Sequence, residues 1–514
     1  MRYFIGLDNG GTATKAAIFD EAGREVGKAS VSTLALTPKP GYVERDMEEM
    51  WEANCTVLRE AVKNAGIAPA DIAGIGISGH GKGLYLVGED GRSVRNGIIS
   101  TDNRAYQYPE MWKKNGVKDA AFQYSCQDIL ACQPVSLLAW LRDNEPESYE
   151  KIRWVFACKD YVRYRLTGEA RAELTDYSGW GLVNLHTAQY DKELLRLFGL
   201  EAMDGKLPPL CRATDLCGGV TEEAARKTGL LPGTPVIGGM FDINACAIAA
   251  GVTDPEKICM IAGTWSINEY IRETPVLDGT AQMNSLFCLP GYYLIEESSA
   301  TSAGNNEWFV NQLLPEAKAA AKAEGRSVYE LVNEWVAEVP PEEFVPVFLP
   351  FLMASNVHPL AKGSFVGMVL NHTRKHLARS IYEGIVFCHR WHLDRLLATR
   401  QGQPGVIRLA GGAARSDVWA QMFADATGLS VETLTAEETG ALGCAICVAY
   451  ATGVYASVEE AAAAMSAVAK RYEPNPARKE IYDRKYALYR SVIAALDGVW
   501  DEMQALVEYK ERKP

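Results

Sequence analysis

An α/β protein of two large domains with related architecture is what this sequence predicts, and three observations carry the prediction. The chain has 514 residues, more than one hydrophobic core ordinarily supports. A strand, glycine turn, strand pattern occurs twice, as YFIGLD-NGGTAT-KAAIFD near the start and as KICMIA-GT-WSINEYI in the second half. The stretch at 405–428, GVIRLA-GGAAR-SDVWAQMFADATG, adds a strand, a glycine turn and a helix.

The elements follow in order. In the first hairpin Gly10 and Gly11 permit the positive φ that a tight turn requires. Apolar positions at helical spacing from Met47 to Asn64 predict a helix, which leads into a short buried strand, GIGIS, at 74–78. LPGTPVIGGM at 231–240 reads as a loop feeding another strand, and DINACAIAAG, beginning at Asp242, as a helix of small residues. A boundary near residue 246 follows, giving domains 1–246 and 247–514. In the second half Ser416 is a suitable N-cap, Val418, Trp419, Met422 and Phe423 form an apolar stripe, and Gly428 stands where a C′ glycine belongs. From Arg471 onward a proline-containing turn and an amphipathic helix close the second domain.

Composition excludes several functions. Apolar residues make up 48% and charged residues 23%, an ordinary globular balance. The net charge of −13 and the absence of any basic run argue against nucleic acid as a partner. No window offers the ~20 apolar residues that span a bilayer, and no apolar stretch of signal-peptide length opens the sequence. The expectation is a soluble, cytoplasmic protein without a membrane partner. Its twelve scattered cysteines fit reduced thiols. Cys444 and Cys447 have C-x-x-C spacing but lie in the small, apolar stretch GALGCAICVAYATG, which reads as core. His389 and His392 lack a third ligand at metal spacing and read as structural.

Three glycine turns carry candidate chemistry. Asp8-Asn9-Gly10-Gly11-Thr12-Ala13-Thr14-Lys15 offers successive backbone N–H groups, the hydroxyls of Thr12 and Thr14 and the Lys15 cation, a set suited to polyphosphate oxygens. Asp8, at the strand end, suits Mg2+ held through water. Read alone, the same string is equally an ordinary hairpin with a solvated lysine. Gly263-Thr264 offers a second phosphate grip, and Gly411-Gly412-Ala413 a backbone surface for a nucleotide. Neither G-x-x-x-x-G-K-[ST] nor G-x-G-x-x-G before a helix occurs, so P-loop and dinucleotide readings fail.

Taken together, these blocks resemble the FGGY carbohydrate kinases of the actin/hexokinase/heat-shock-chaperone superfamily. The resemblance runs from DNGGT at 8–12 to ETGALGCA at 438–445. Its most specific piece is GSFVGMVLNHTRKHLARSIYEG, 363–384, where Gly363, Gly367, His376, Ser380 and Glu383 keep the family spacing. GISGHGKG, DNRA, KDYVRYRLTGE and TDYS follow in family order. The resemblance implies two actin-like, ribonuclease H-like domains, each a mixed sheet flanked by helices, with ATP and Mg2+ in the interdomain cleft. It makes Asp242, in GGMFD, the general base that takes the proton of the attacking hydroxyl; on its segment alone Asp242 reads as a helix N-cap. It places a sugar or polyol in the first domain against Lys82, Asp102 and Arg104, although Arg104 also reads as a partner of Asp102 across the loop. Glu44, in GYVERD, belongs to another family-like block of undefined role. The oligomeric state is left open, a homodimer included.

Departures narrow the substrate. Many relatives place tryptophan where this chain has Ser100, and one signature expects lysine at Leu137. Glycerol kinases carry arginine and glutamate where this chain has Gly81 and Lys82, which disfavours glycerol. GKGLYL with S-x-D-x-R-A looks closest to the branch acting on L-xylulose, an open-chain ketopentose, with kinases of erythritol and related polyols close behind. A chaperone-like ATPase needs an added partner-binding domain for which the chain leaves no room. A non-catalytic sugar sensor has no need of Asp8, Lys15 and Asp242 together.

Overall fold

The structure, a computed structural model, describes residues 1–355 and 357–511. Two compact units emerge, each built from separated pieces of chain. One comprises Met1–Asp254, Ile271–Ile295 and Ala436–Ala467; the other comprises Pro255–Tyr270, Glu296–Thr435 and the described chain from Val468 onward. Segment 436–467, late in the sequence, therefore folds with the N-terminal unit.

The first unit is built on a mixed sheet of β1 (Tyr3–Asn9), β2 (Ala13–Phe19), β3 (Glu25–Ser32), β4 (Ile72–Gly79), β5 (Pro235–Ile237) and β6 (Met240–Phe241). β1, β2 and β3 form an antiparallel meander, while β4 runs parallel to β1. β5 and β6 both lie parallel along β4. One face is covered by the helix Met47–Ala65, whose Met50, Trp51, Cys55, Leu58 and Val62 join the core. Asp46 caps it by accepting from the amides of Glu48 and Glu49, and Gly66 ends it in the left-handed region.

Against the same sheet lies the helix Thr439–Ala451, brought unusually close by small residues. A Cβ on Gly6 would stand 1.9 Å from the Ala441 carbonyl oxygen, and one on Gly443 2.0 Å from that of Ala245. Backbone meets backbone here, which accounts for the composition of GALGCAIC. Cys444 and Cys447 are fully buried in this contact.

The second unit repeats the plan with β7 (Lys257–Ala262), β8 (Ser266–Arg272), β9 (Tyr293–Ser299), β10 (Val406–Ala410), β11 (Val431–Leu434) and β12 (Val468–Tyr472). β7 and β8 form the hairpin, with β9 beyond β8. β10 runs parallel to β7, β11 parallel to β10, and β12 returns antiparallel. A hairpin followed by a parallel neighbour on its first strand is thus common to both sheets, and the two-domain α/β prediction holds. His389 and His392 lie on the buried side of the helix Arg374–Ala398. His389 bonds to Asn268, Ser266 and Ser302 at 2.9, 3.1 and 2.8 Å, and His392 to Ser299 at 3.0 Å. Among the described residues no helix is long and apolar enough to cross a membrane.

Candidate active site

The register of the first sheet lines up a row of polar side chains. Lys15 on β2 stands opposite Asp8 on β1, Asp8 opposite Ser78 on β4, and Ser78 opposite Met240 on β6, two residues before Asp242. Adjacent strands lie about 4.8 Å apart, so the sheet delivers both aspartates to one edge of the unit.

Asp8 receives a 2.8 Å hydrogen bond from the Ser78 hydroxyl. The N-terminal turn of the helix Thr439–Ala451 approaches it so closely that a Cβ on Gly440 would stand 3.0 Å from its carboxyl carbon. Burial pushes the Asp8 carboxyl above its ordinary range and Glu438 adds to the rise, while Ser78 and Lys15 oppose it. Lys15 in turn pairs with Glu438 at 2.8 Å. A carboxylate whose charge is costly, next to a face with no side chain, is a fitting partner for a cation carried on phosphates.

Behind this row the hairpin turn is held rigid. Arg45, buried, donates to the carbonyls of Gly10 and Gly11 at 3.2 and 2.5 Å. Asn9 accepts from Thr14 Oγ1 at 3.2 Å and Asn54 Nδ2 at 2.8 Å. Gly11 and Thr12 are left exposed and Lys15 half-buried. Thr14, expected to offer its hydroxyl to phosphate, is instead fully buried and spends it on Asn9. The alternation of β2 turns residue 14 inward when residues 13 and 15 face outward.

Asp242 is the first residue of the helix Asp242–Ala249, with Phe241 at the N-cap. Its carboxylate lies where unpaired helix amides favour negative charge. The GHGKG loop abuts it, because a Cβ on Gly81 would stand 2.4 Å from the Phe241 ring. Between Gly81 and Gly83 Lys82 is buried with φ 64°, a left-handed conformation that costs a residue with a side chain about 1–3 kcal/mol. His80 bonds to the Tyr85 hydroxyl at 2.8 Å. Burial and the nearby Arg45 push its pKa down to about 3, leaving it neutral at pH 7.

Asp102 and Arg104 prove to be a buried pair. Asp102 accepts from Val43 N at 2.6 Å and from Arg104 Nη2 at 2.8 Å, and Arg104 Nη2 also reaches Glu44 at 2.8 Å. The Arg104 guanidinium stacks on Tyr42 and Trp140 at 4.3 and 5.1 Å, and Arg95 bonds to Glu44. Both side chains are withdrawn from the surface and committed to each other, with Glu44 and the two rings completing the Arg104 environment. Glu44 thereby gains the role that the sequence left undefined.

In the second unit the two remaining glycine turns come together. Gly411, at φ 84°, passes so near β7 that a Cβ there would stand 2.7 Å from the Ala262 carbonyl oxygen and 3.0 Å from Gly263 N. Gly411, Gly412 and Thr264 are exposed, whereas Ala413 is fully buried beneath them. Ala413 thus offers no side-chain surface to a ligand.

Comparisons with known proteins agree with this architecture. The profile of the FGGY family of carbohydrate kinases, N-terminal domain, matches residues 3–249, and that of the C-terminal domain residues 258–452. The chain is 36% identical over 503 residues, 97% of its length and 100% of the relative's, to a probable L-xylulose kinase of Pasteurella multocida. It is 36% identical over 499 residues, 97% of its length and 98% of the relative's, to the L-xylulose/3-keto-L-gulonate kinase of Escherichia coli K12. A crystal structure of a ligand-bound xylulose kinase from Lactobacillus acidophilus superposes with a TM-score of 0.87 at 23% identity, covering 98% of this chain and 100% of that one, and shares its fold. With a matching profile over each half and relatives of this identity along its whole length, the chain belongs to the FGGY family of carbohydrate kinases and is an ATP-dependent sugar kinase of actin-like fold.

Proposed function

We propose that this kinase transfers the γ-phosphoryl group of ATP to a hydroxyl of a small open-chain sugar, a ketopentose such as L-xylulose, with Asp242 as general base. The observation that carries the reading is the shared end of the sheet: β1, which bears Asp8, and β6, which leads directly into Asp242, flank β4 and run parallel to it in register. The names of the two relatives support the choice of sugar.

Asp242 takes the proton of the attacking hydroxyl as its oxygen bonds to the γ-phosphorus and the bond to the β-γ bridging oxygen breaks, giving the sugar phosphate, ADP and a proton. Gly10, Gly11, Thr12 and Lys15 hold phosphate oxygens through exposed amides, a hydroxyl and a cation. Gly263, Thr264, Gly411 and Gly412 offer further backbone to the nucleotide. Asp8 suits Mg2+ through water, since magnesium bound with a nucleotide takes few protein carboxylates; when bound, the ion offsets charge on the phosphates. Lys82 contacts the sugar, while Asp102, Arg104 and Glu44 brace the neighbouring loop.

An ADP-release assay over a panel of ketopentoses and polyols tests the substrate, and Asp242→Asn tests the base. L-xylulose turnover is expected to exceed that of erythritol and glycerol, and Asp242→Asn to abolish it while ATP still binds. Preference for a polyol overturns the sugar assignment, and near-normal turnover by Asp242→Asn overturns the base.

A further inference from the structure

We infer that Thr175 is a positioning residue for the general base, fixing through its hydroxyl the backbone amide that immediately precedes Asp242. The inference rests on the reading of Asp242 as base and concerns the buried charge cluster beneath it.

The backbone that carries Asp242 is tied down residue by residue. Gly238 N donates to the Asp215 carbonyl at 2.9 Å and Gly239 N to that of Ala213 at 3.0 Å. The Gly238 carbonyl accepts from Arg163. Met240 and Phe241 pair with Ser78 and Gly79. The last amide before the acid, Phe241 N, donates to Thr175 Oγ1 at 2.9 Å. Among these holds on the segment, the Thr175 hydroxyl is the one a neutral side chain provides, and it lies nearest in sequence to the carboxylate.

Its direction is set by the groups behind it. Thr175 Oγ1 donates to Glu173 Oε2 at 2.7 Å, and Thr175 N to Glu173 Oε1 at 2.9 Å. Lys159 Nζ lies 3.2 Å from the same Oε2 and 2.7 Å from Asp160, whose other oxygen meets Arg163 at 2.6 Å. All these side chains are buried. A backbone N–H only donates, so the Thr175 oxygen must accept from Phe241 N–H, and its own proton points at Glu173 Oε2 beside Lys159. The network therefore presents an acceptor, in a fixed direction, to a single amide, and a shift of about 1 Å in a catalytic group costs on the order of 100-fold in rate.

Thr175→Val keeps the volume and removes the hydroxyl, while Thr175→Ser keeps the hydroxyl. Steady-state kinetics for both, beside Asp242→Asn and thermal melts, test the inference. Thr175→Val is expected to lower kcat about 10- to 100-fold with KM for ATP within about twofold, and Thr175→Ser to restore kcat to within about threefold of the parent. A Thr175→Val protein with kcat within twofold of the parent overturns the inference. So does an equal loss in Thr175→Ser, and, should Thr175→Val fail to fold, a drop of more than tenfold in Thr175→Ser alone is sufficient. Asp242→Asn separates the two ideas: if it remains active the base assignment falls, and if it is inactive while Thr175→Val is normal only the positioning role falls.

Discussion

Gly81→Ala probes the contact between the GHGKG loop and the segment that carries Asp242. Gly81 lies outside the left-handed region, so alanine fits the backbone, and the perturbation is purely the added methyl group. That carbon would stand 2.4, 2.6 and 2.7 Å from three atoms of the Phe241 ring, where ordinary contact begins at 3.4 Å. Either the ring edge withdraws by about 1 Å or the loop bearing Lys82 rises by as much. Overpacking of this kind costs about 1–3 kcal/mol of stability, and a displacement of that size next to the base lowers kcat about 100-fold. The assay is coupled ADP release with the sugar turned over fastest, run beside a thermal melt. Gly498→Ala serves as control, since its added carbon meets nothing within 4 Å. A Gly81→Ala enzyme with kcat within twofold of the parent and an unchanged melting temperature refutes the reasoning.

Three further outcomes are expected. Asp8→Asn should raise the melting temperature of the ligand-free protein at pH 7–8 while lowering turnover at least about 100-fold. Its carboxyl is held above the ordinary value, first by burial, so its contribution to stability is present below its unfolded pKa and lost as pH rises through the folded one. Asp176, raised to about 7 by burial and by Asp160 and Glu173 against the pull of Lys159, has the same sign. Stability should decline between pH 4 and 7 in part through this group, and Asp176→Asn should flatten that decline in melts recorded across the range. Lys15→Met should raise KM for ATP about tenfold, leaving KM for the sugar within twofold, because it removes one charged phosphate contact and leaves Glu438 beside Asp8 unopposed.

What the sequence made legible was local. The helix Asp417–Thr427 begins with Ser416 accepting from Trp419 N and ends at Gly428 with φ 74°, where the cap residues predicted. Both hairpins follow from strand periodicity with glycine between, signals that a short window contains. The inward face of Thr14 is legible in the same alternation, with Ala13 and Lys15 on the opposite face. Burial of Asp102 and Arg104 was not legible, because charged residues are mostly exposed and the partners that make burial tolerable, Glu44, Tyr42 and Trp140, are distant in sequence. Lys159 and Thr175 lie in the KDYVRYRLTGE and TDYS blocks and Glu173 in the short stretch between them, yet nothing in their spacing says that the hydroxyl reaches Phe241, 66 residues onward.

The helix Thr439–Ala451 lies glycine to backbone against β1 and β4, strands made hundreds of residues earlier. During synthesis that face of the sheet stays bare until the ribosome has passed residue 451, which at about 5–20 residues per second amounts to roughly 10–40 s after β6 has emerged. The nascent chain is therefore exposed to aggregation over this interval, and a fragment ending at Asp254 should be captured by chaperones or precipitate, whereas one continued through Ala467 carries the missing cover.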